Sequence, residues 1–345
     1  MSIYMKHLPI AIALFLGTSQ LSASLARQNQ DISERMTALE QESADKARVS
    51  PTVKHCNDFF VTGDYLFMHV NQSGTAYAVK VEDTVSNKGK VKNLDFGWDS
   101  GFRVGLGYRM PHDKWELAVN WTRFYTDAHD RVNSDGQVIF PEWAIQTPAG
   151  VSSIDAKWKM RLNIVDGDIS RYFMVTPKLA FKPRFGIRGA WLTQKYELDQ
   201  DGTVSNNSEM KNDFSGVGLR AGLETEWDID RNWSIYGDAA YSLIYGNFEL
   251  RQEIDNATPG NNLNIRDHFQ DLVGMAELGV GIRWDYTFSN DWTALRIQAG
   301  WEFNAYFNQN RFEHFNSNES SRLSFIANNN DLTLQGLVVS GRIDF

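Results

Sequence analysis

The chain has 345 residues, with 34 Lys and Arg against 43 Asp and Glu and a formal net charge of −9. At 42% hydrophobic and 22% charged it is no disordered polymer, and its acidic balance argues against a nucleic-acid partner, because such a surface repels phosphate. A single Cys excludes an internal disulfide framework and a multi-cysteine metal site, so no metal or cofactor is expected.

Residues 1–26 read as a secretory signal peptide. Lys6 sits in a short leading region, Leu8–Gly17 is an apolar core too short to span a bilayer, and small residues then allow cleavage after Ala23 or Ala26. Export places the mature chain outside the cytoplasm.

Residues 27–57 form a polar, helix-favouring periplasmic segment. Ile32, Met36 and Leu39 fall on one helical stripe, and Pro51 ends the pattern. About two heptads are as compatible with a solvated tether as with an oligomeric contact through residues 27–50. Cys56 follows; exported, it is either a free thiol or one half of an intermolecular disulfide, to a second barrel or to another envelope protein.

From Phe59 to Phe345 the pattern has period two. Phe59–Val70 opens it. Alternation recurs at Phe102/Val104/Leu106/Tyr108, Trp115/Leu117/Val119/Trp121, Trp158/Met160/Leu162/Ile164, Leu179/Phe181/Phe185/Ile187/Trp191 and Val217/Leu219/Ala221/Leu223. It continues at Trp233/Ile235/Ala239/Tyr241/Leu243, Leu272/Ala276/Leu278/Val280/Ile282/Trp284, Leu295/Ile297/Ala299/Trp301/Phe303 and Leu337/Val339/Gly341/Ile343/Phe345. Each stretch is long enough for a tilted strand to cross a bilayer. The polar face is rich in Gly and charge, as at Gly105, Gly218, Gly222 and Gly281. Aromatic residues crowd the strand ends, as at Trp227, Trp233, Trp284, Tyr286 and Trp292. Connections alternate between short (110–114, 176–178, 228–232, 289–291) and long (127–155, 197–212, 251–267, 308–330), as in barrels with short periplasmic turns and long external loops.

In hydrocarbon a sheet can span only without a free edge. Residues 58–345 are therefore expected to form an all-β transmembrane antiparallel β-barrel, preceded by the short periplasmic helix. The count is ten strands, or twelve if Thr75–Glu82 pairs with Val91–Trp98. An even count leaves both termini on the periplasmic side.

The opening FFVTGDYLF, the block DFGWDSGFRVGLGYRMPHDKWELAVNW and the block KPRFGIRGAW, in that order behind an exported leader, resemble the Legionella and Chlamydiales-type pore-forming major outer membrane protein family. The resemblance covers essentially the whole mature chain. It implies an outer-membrane porin of a Gram-negative bacterium, a water-filled diffusion channel for small polar solutes, and brings no list of site residues. The final strand, with Leu337, Val339, Gly341, Ile343 and Phe345 on one face, is similar to the end signal read by barrel-assembly machinery, for which an unpaired strand edge is the template.

Inward positions then define a lumen. Lys157, Lys159, Arg161, Lys182, Arg184 and Arg188 are expected to make a basic wall. Facing it are Glu224, Asp238, Glu277 and Glu302, interspersed with Arg220, Arg283 and Arg296. Across a wet pore such walls set up a transverse field that orients solutes. Across a narrow lumen the same charges pair and plug it, which leaves a non-conducting barrel serving as an adhesin or structural envelope protein. Asn/Ser-rich tracts at Asn206–Ser208, Asn261–Asn264 and Asn316–Ser321 suit surface binding, and Asp199–Asp201 lacks a complete calcium-loop pattern. An enzyme is not expected. His129, His268 and His314 lie near Asp127, Asp130, Asp267, Asp271 and Glu313, the only pattern open to an outer-membrane protease or lipase, and no nucleophile, phosphate-loop or zinc-protease motif accompanies them.

Overall fold

A computed structural model of the chain describes residues 33–37, 58–83, 88–110, 114–143, 150–203, 205–256, 262–288, 293–318, 322–327 and 330–345. The chain falls into two units, Met1–Arg48 and Val49–Phe345. In the first, residues 33–37 form an exposed helical turn in which the Thr37 hydroxyl donates to the Ser33 carbonyl at 2.7 Å. The leader, its cleavage sites, most of the polar segment and Cys56 lie outside the described residues.

In the second unit, ten strands close on themselves. In chain order they are β1 (Asp58–Gln72), β2 (Trp98–Arg109), β3 (Trp115–Asn133), β4 (Val151–Arg171), β5 (Leu179–Gly202), β6 (Asn206–Asp228), β7 (Trp233–Asn256), β8 (Leu263–Thr287), β9 (Ala294–Asn310) and β10 (Asn330–Asp344). Each pairs antiparallel with its neighbours in sequence, and β10 pairs with β1. The seam is sealed to its end: Phe59 and Phe345 exchange backbone hydrogen bonds of 3.1 and 2.9 Å. A four-residue strand, Phe173–Thr176, pairs alongside the start of β5.

The count is therefore ten. Ala76–Asp83 extends no barrel hairpin. It pairs with Lys88–Asn93 and with Val138–Pro141 in a separate three-stranded sheet. The last of these strands leaves β3 through Ser134–Gln137, a tight turn in which Gln137 N–H donates to the Ser134 carbonyl at 2.7 Å and Asp135 (φ 46°) and Gly136 (φ 83°) are the two left-handed residues.

Two of the expected long loops are strand. The stretch 197–212 continues the β5–β6 ladder as far as Gln200 and Asn206, and 251–267 extends β7 and β8 to either side of residues 257–262. Both hairpins continue as paired sheet, because a residue past the bilayer can keep its ladder bonds while its outward side chain meets water.

The outer wall is apolar where the strands cross lipid. Val61, Leu106, Ile187, Leu219, Val280 and Ile282 are all at least half exposed or close to it. Aromatic side chains group at both ends of this band. Trp98 stacks on Phe67 with ring centroids 5.2 Å apart and meets Trp301 at 6.0 Å; at the other end Trp284 stacks on Tyr286 at 5.6 Å.

Beyond the band the two faces exchange character. Along β4, Asp166, Asp168 and Ser170 point inward and Val165 and Ile169 outward. Further along, Ile154, Ala156, Trp158, Met160, Leu162 and Ile164 are buried inside, while Lys159 and Arg161 are exposed. The pleat keeps its parity; the solvent outside it changes from lipid to water. Lys157, Lys159 and Arg161 therefore lie on the outer wall, a correction to their expected place in the lumen. In a Cys56→Ser background, Asn207→Cys on the β6 end of the longest hairpins should react with a membrane-impermeant maleimide on intact cells. Asp230→Cys, in the short β6–β7 turn, should react only after permeabilisation.

Candidate functional site

The lumen has two fillings. In the half nearest Phe59 and Phe345 it is packed with charge. Glu116 of β3 receives Arg109 at 2.6 Å, Lys182 at 2.5 Å and Arg342 at 3.1 Å, and Arg342 also holds Asp344 at 2.6 Å. Arg342 lies over the Phe60 ring, 3.7 Å from its centroid. Beside this group Arg283 bridges Glu224 and Glu226, while Arg296 binds Asp285 at 2.7 Å and the Tyr172 hydroxyl at 3.1 Å.

Deeper in, Arg184 meets Asp238 at 2.5 Å, Arg188 meets Asp166 at 2.6 Å, and Arg220 meets Asp168 at 2.5 Å. Glu277 joins two of them, taking Arg188 and, at 2.5 Å, Arg220. Arg103 reaches Asp64 at 3.2 Å and Glu302 at 3.0 Å. Space for these long side chains comes from inward glycines: a Cβ on Gly222 would lie 2.7 Å from Arg184 Nε.

The other half is apolar. Trp143, Trp158, Tyr196 and Tyr77 are almost wholly buried there, with Phe96 and Phe312 against them. Phe96 meets Trp158 edge-on at 5.2 Å, and Trp143 packs on Tyr196 at 5.8 Å. Trp143 Nε1 donates to the Ala76 carbonyl at 2.7 Å and joins two inserted segments, while the Tyr196 hydroxyl, donating to the Thr75 carbonyl at 3.0 Å, and Asn310 Nδ2, donating to that of Ser73 at 2.7 Å, tie the inserted chain to the wall. The Tyr77 hydroxyl donates to Asp130 at 2.9 Å. Burial raises the Tyr77 phenol, and Asp130 raises it further.

A chamber of about 240 Å³ runs through the charged half, where Arg103, Arg188, Glu277, Arg296 and Arg342 line it, to the edge of the apolar half at Met68, Phe124 and Tyr306. Arg103 and Glu302 keep 28% and 21% of their side-chain surface.

Of the expected lumen residues, Lys182, Arg184, Arg188, Arg220, Glu224, Asp238, Glu277, Arg283, Arg296 and Glu302 do face inward. They form no opposed basic and acidic walls, because Glu116, Asp166 and Asp168 interleave with the cations of β5 and β6. Asp64, Arg103, Arg109, Glu116, Asp166, Asp168, Glu226, Arg342 and Asp344 were not anticipated. Parity marks each of them, since each stands next to an outward apolar residue such as Tyr65, Phe102, Leu117, Val165 or Ile343. Leu337, Val339, Ile343 and Phe345 are exposed on the outer face of β10, with Gly341 on the same face.

The histidines do not assemble a site. His129 Nε2 lies 3.0 Å from Asp155, which also holds Lys157 at 3.1 Å. Partial burial pushes the Asp155 carboxyl up; these contacts outweigh it and hold the group below its usual value. His268 neighbours Asp267 only through its backbone amide, and the His314 side chain lies outside the described residues. Asn206 and Ser208 point inward, Asn264 donates to Glu253 at 3.0 Å, and 319–321 lie outside the described residues. No cluster of three metal-ligating side chains occurs among the described residues.

A family described as the Legionella pneumophila major outer membrane protein precursor matches residues 49–345. The chain belongs to the Legionella major outer membrane protein family. That membership makes it an outer-membrane protein, and the ten-strand barrel is its transmembrane part. No curated protein matches the chain. Solved structures similar to it include the outer membrane protease OmpT of Escherichia coli, at 8% identity, covering 84% of this chain and 96% of that one, with a TM-score of 0.39. A major outer membrane protein of Thermus thermophilus is 11% identical, covers 84% and 100%, and has a TM-score of 0.36. Neisserial surface protein A is 12% identical, covers 83% and 97%, and has a TM-score of 0.26.

Glu116 is the keystone of the charged half in this family member. Glu116→Gln leaves Arg109, Lys182 and Arg342 crowded around a neutral amide where a shared carboxylate stood. The expected cost is about 3–5 kcal/mol, the loss found when one partner of a buried pair is removed. It should appear as a lower urea midpoint for loss of the compact electrophoretic band, and Glu302→Gln, at the solvated chamber, should lower it less.

Proposed function

We propose that the chain is a diffusion channel for small polar solutes across the outer membrane, closed in the described conformation at its external mouth. The chamber of about 240 Å³, running among charged side chains and still partly solvated, is the observation that carries this reading. A solute entering it exchanges water for charged groups that already have partners, so binding is weak enough to allow release. The inserted part of the apolar filling, with Tyr77, Leu94, Phe96, Ile139 and Trp143, comes from chain between barrel strands and packs against wall side chains such as Trp158 and Tyr196, so its displacement leaves the ten-strand wall intact.

The second reading is a non-conducting barrel with a surface-binding or structural role. It is favoured by the apolar side chains that fill the outer half. A protease or lipase finds less support, because the His129–Asp155 pair is engaged with Lys157 on the outer wall. The outward face of β10, from Leu337 to Phe345, is assigned to recognition by barrel-assembly machinery.

Planar bilayers test the channel. Folded full-length protein should give small, flickering currents, and replacing residues 76–93 by a short Gly/Ser linker should raise them severalfold. Glu277→Gln, which strips Arg188 and Arg220 of a shared partner, should shift the reversal potential in a KCl gradient toward anions. No current from either the intact or the shortened protein would end the channel reading and leave the non-conducting barrel.

A further inference from the structure

The cations displaced from the lumen lie on the outer wall at the edge of the lipid band, where nothing in the channel reading uses them. On the outward face of β3–β6, rows of residues in register can be followed upward from the apolar band. Trp121, Val165, Gly189 and Val217 form one row, Arg123, Asn163, Trp191 and Ser215 the next, then Tyr125, Arg161, Thr193 and Asp213, then Asp127, Lys159, Lys195 and Lys211. Three lysines thus stand directly opposite one another on neighbouring strands roughly 4.8 Å apart, an arrangement that destabilises a sheet unless anions intervene.

Part of that anionic partner is internal. Lys195 is held by Glu197 at 2.5 Å and Glu209 at 3.1 Å, and Lys211 by Asp213 at 2.6 Å. On β4, Lys157 is likewise held by Asp155 at 3.1 Å and Asp199 at 3.6 Å, but three neighbouring cations are not so paired. Arg123, Lys159 and Arg161 are exposed, and no carboxylate pairs with them among the described residues, Asp127 being the one acid in register beside Lys159. The Arg161 guanidinium instead lies over the Tyr125 ring, 6.0 Å from its centroid, which leaves its hydrogen-bonding edges free. Trp121 and Trp191 mark the interface just below. Further down the same strands Val119, Gly167, Ile169, Phe185 and Ile187 line an apolar groove of about 450 Å³.

We propose that Arg123, Lys159 and Arg161 bind the phosphates of a lipid A-type glycolipid of the outer leaflet, with an acyl chain running down toward the groove. Forked guanidinium donors and an ammonium match phosphate oxygens. Their stems lie along the apolar wall while the charges reach the headgroup layer. The site is independent of conduction and requires only that the long-hairpin end face the cell exterior, which the maleimide labelling decides separately.

The test uses full-length protein in detergent, titrated with bis-phosphorylated lipid A and followed by native mass spectrometry. The triple variant Arg123→Gln, Lys159→Gln, Arg161→Gln should bind roughly 100-fold more weakly, from the usual contribution of each basic residue at a charged membrane surface. Wild-type protein should bind dephosphorylated lipid A just as weakly. Asp127→Asn should tighten binding, and Arg251→Gln with Arg266→Gln, also exposed cations, should leave it unchanged. Because all these side chains are exposed, the compact electrophoretic band should persist in every variant. Equal affinity of the triple variant and wild type, or equal binding of phosphatidylglycerol and lipid A, would overturn the proposal.

Discussion

Hydrocarbon offers no partner to a backbone amide, so the ring of ten strands has to be complete. The mutual hydrogen bonds of Phe59 and Phe345 are where that requirement is met last, joining the start of β1 to the terminal residue. Closure makes every strand residue either a wall against lipid or a filling of the lumen. What fills a ten-strand lumen then becomes the central energetic question, because its interior is too narrow to be left empty and too wide to be filled by the walls' small residues alone.

The protein answers with two chemistries. Near Phe59 and Phe345, guanidinium groups lie between carboxylates of neighbouring strands and of strands across the lumen, so each of these charges has partners beyond its own ladder. Glu277 holds Arg188 and Arg220, and Glu116 serves three cations. Removing water from one such group without its partner is expensive, and this cost locks the set together. At the other end, Trp143, Trp158 and Tyr196 pack as they would in a soluble core, with Trp143 Nε1 and the Tyr196 hydroxyl tied to backbone carbonyls. The chamber lies among the charges and ends at the apolar half, because a paired charge can face water and a buried ring cannot without cost.

The exchange of faces at Ile164–Val165 links this interior to the outer surface. A strand that leaves lipid for water keeps its pleat, so apolar residues turn from wall to core without any break in geometry. The same exchange carries Lys157, Lys159 and Arg161 from an assumed lumen to the outside. Seen alone, the alternation Trp158/Lys159/Met160/Arg161 has no direction. Only the side on which lipid ends decides which of its faces is inside.

Much was legible in the linear chain. Period-two runs from Phe59 onward, aromatic residues at their ends and the terminal Phe345 specify an even-numbered barrel and the inward direction of Lys182, Arg184 and Glu277, because those properties depend only on neighbours one or two residues away. Which acid meets which base depends on register between strands far apart in sequence, as when Arg342 reaches Glu116. The insertion of Trp143 and Tyr77 into the lumen depends on three chain segments meeting at once. Alternation, taken with the aromatic strand ends, the Gly- and charge-rich face and the alternating short and long connections, pointed to a closed sheet with one face to lipid. Whether its centre is water, ion pair or aromatic ring was decided only when the barrel closed, because a radius and a register exist only for the assembled ring.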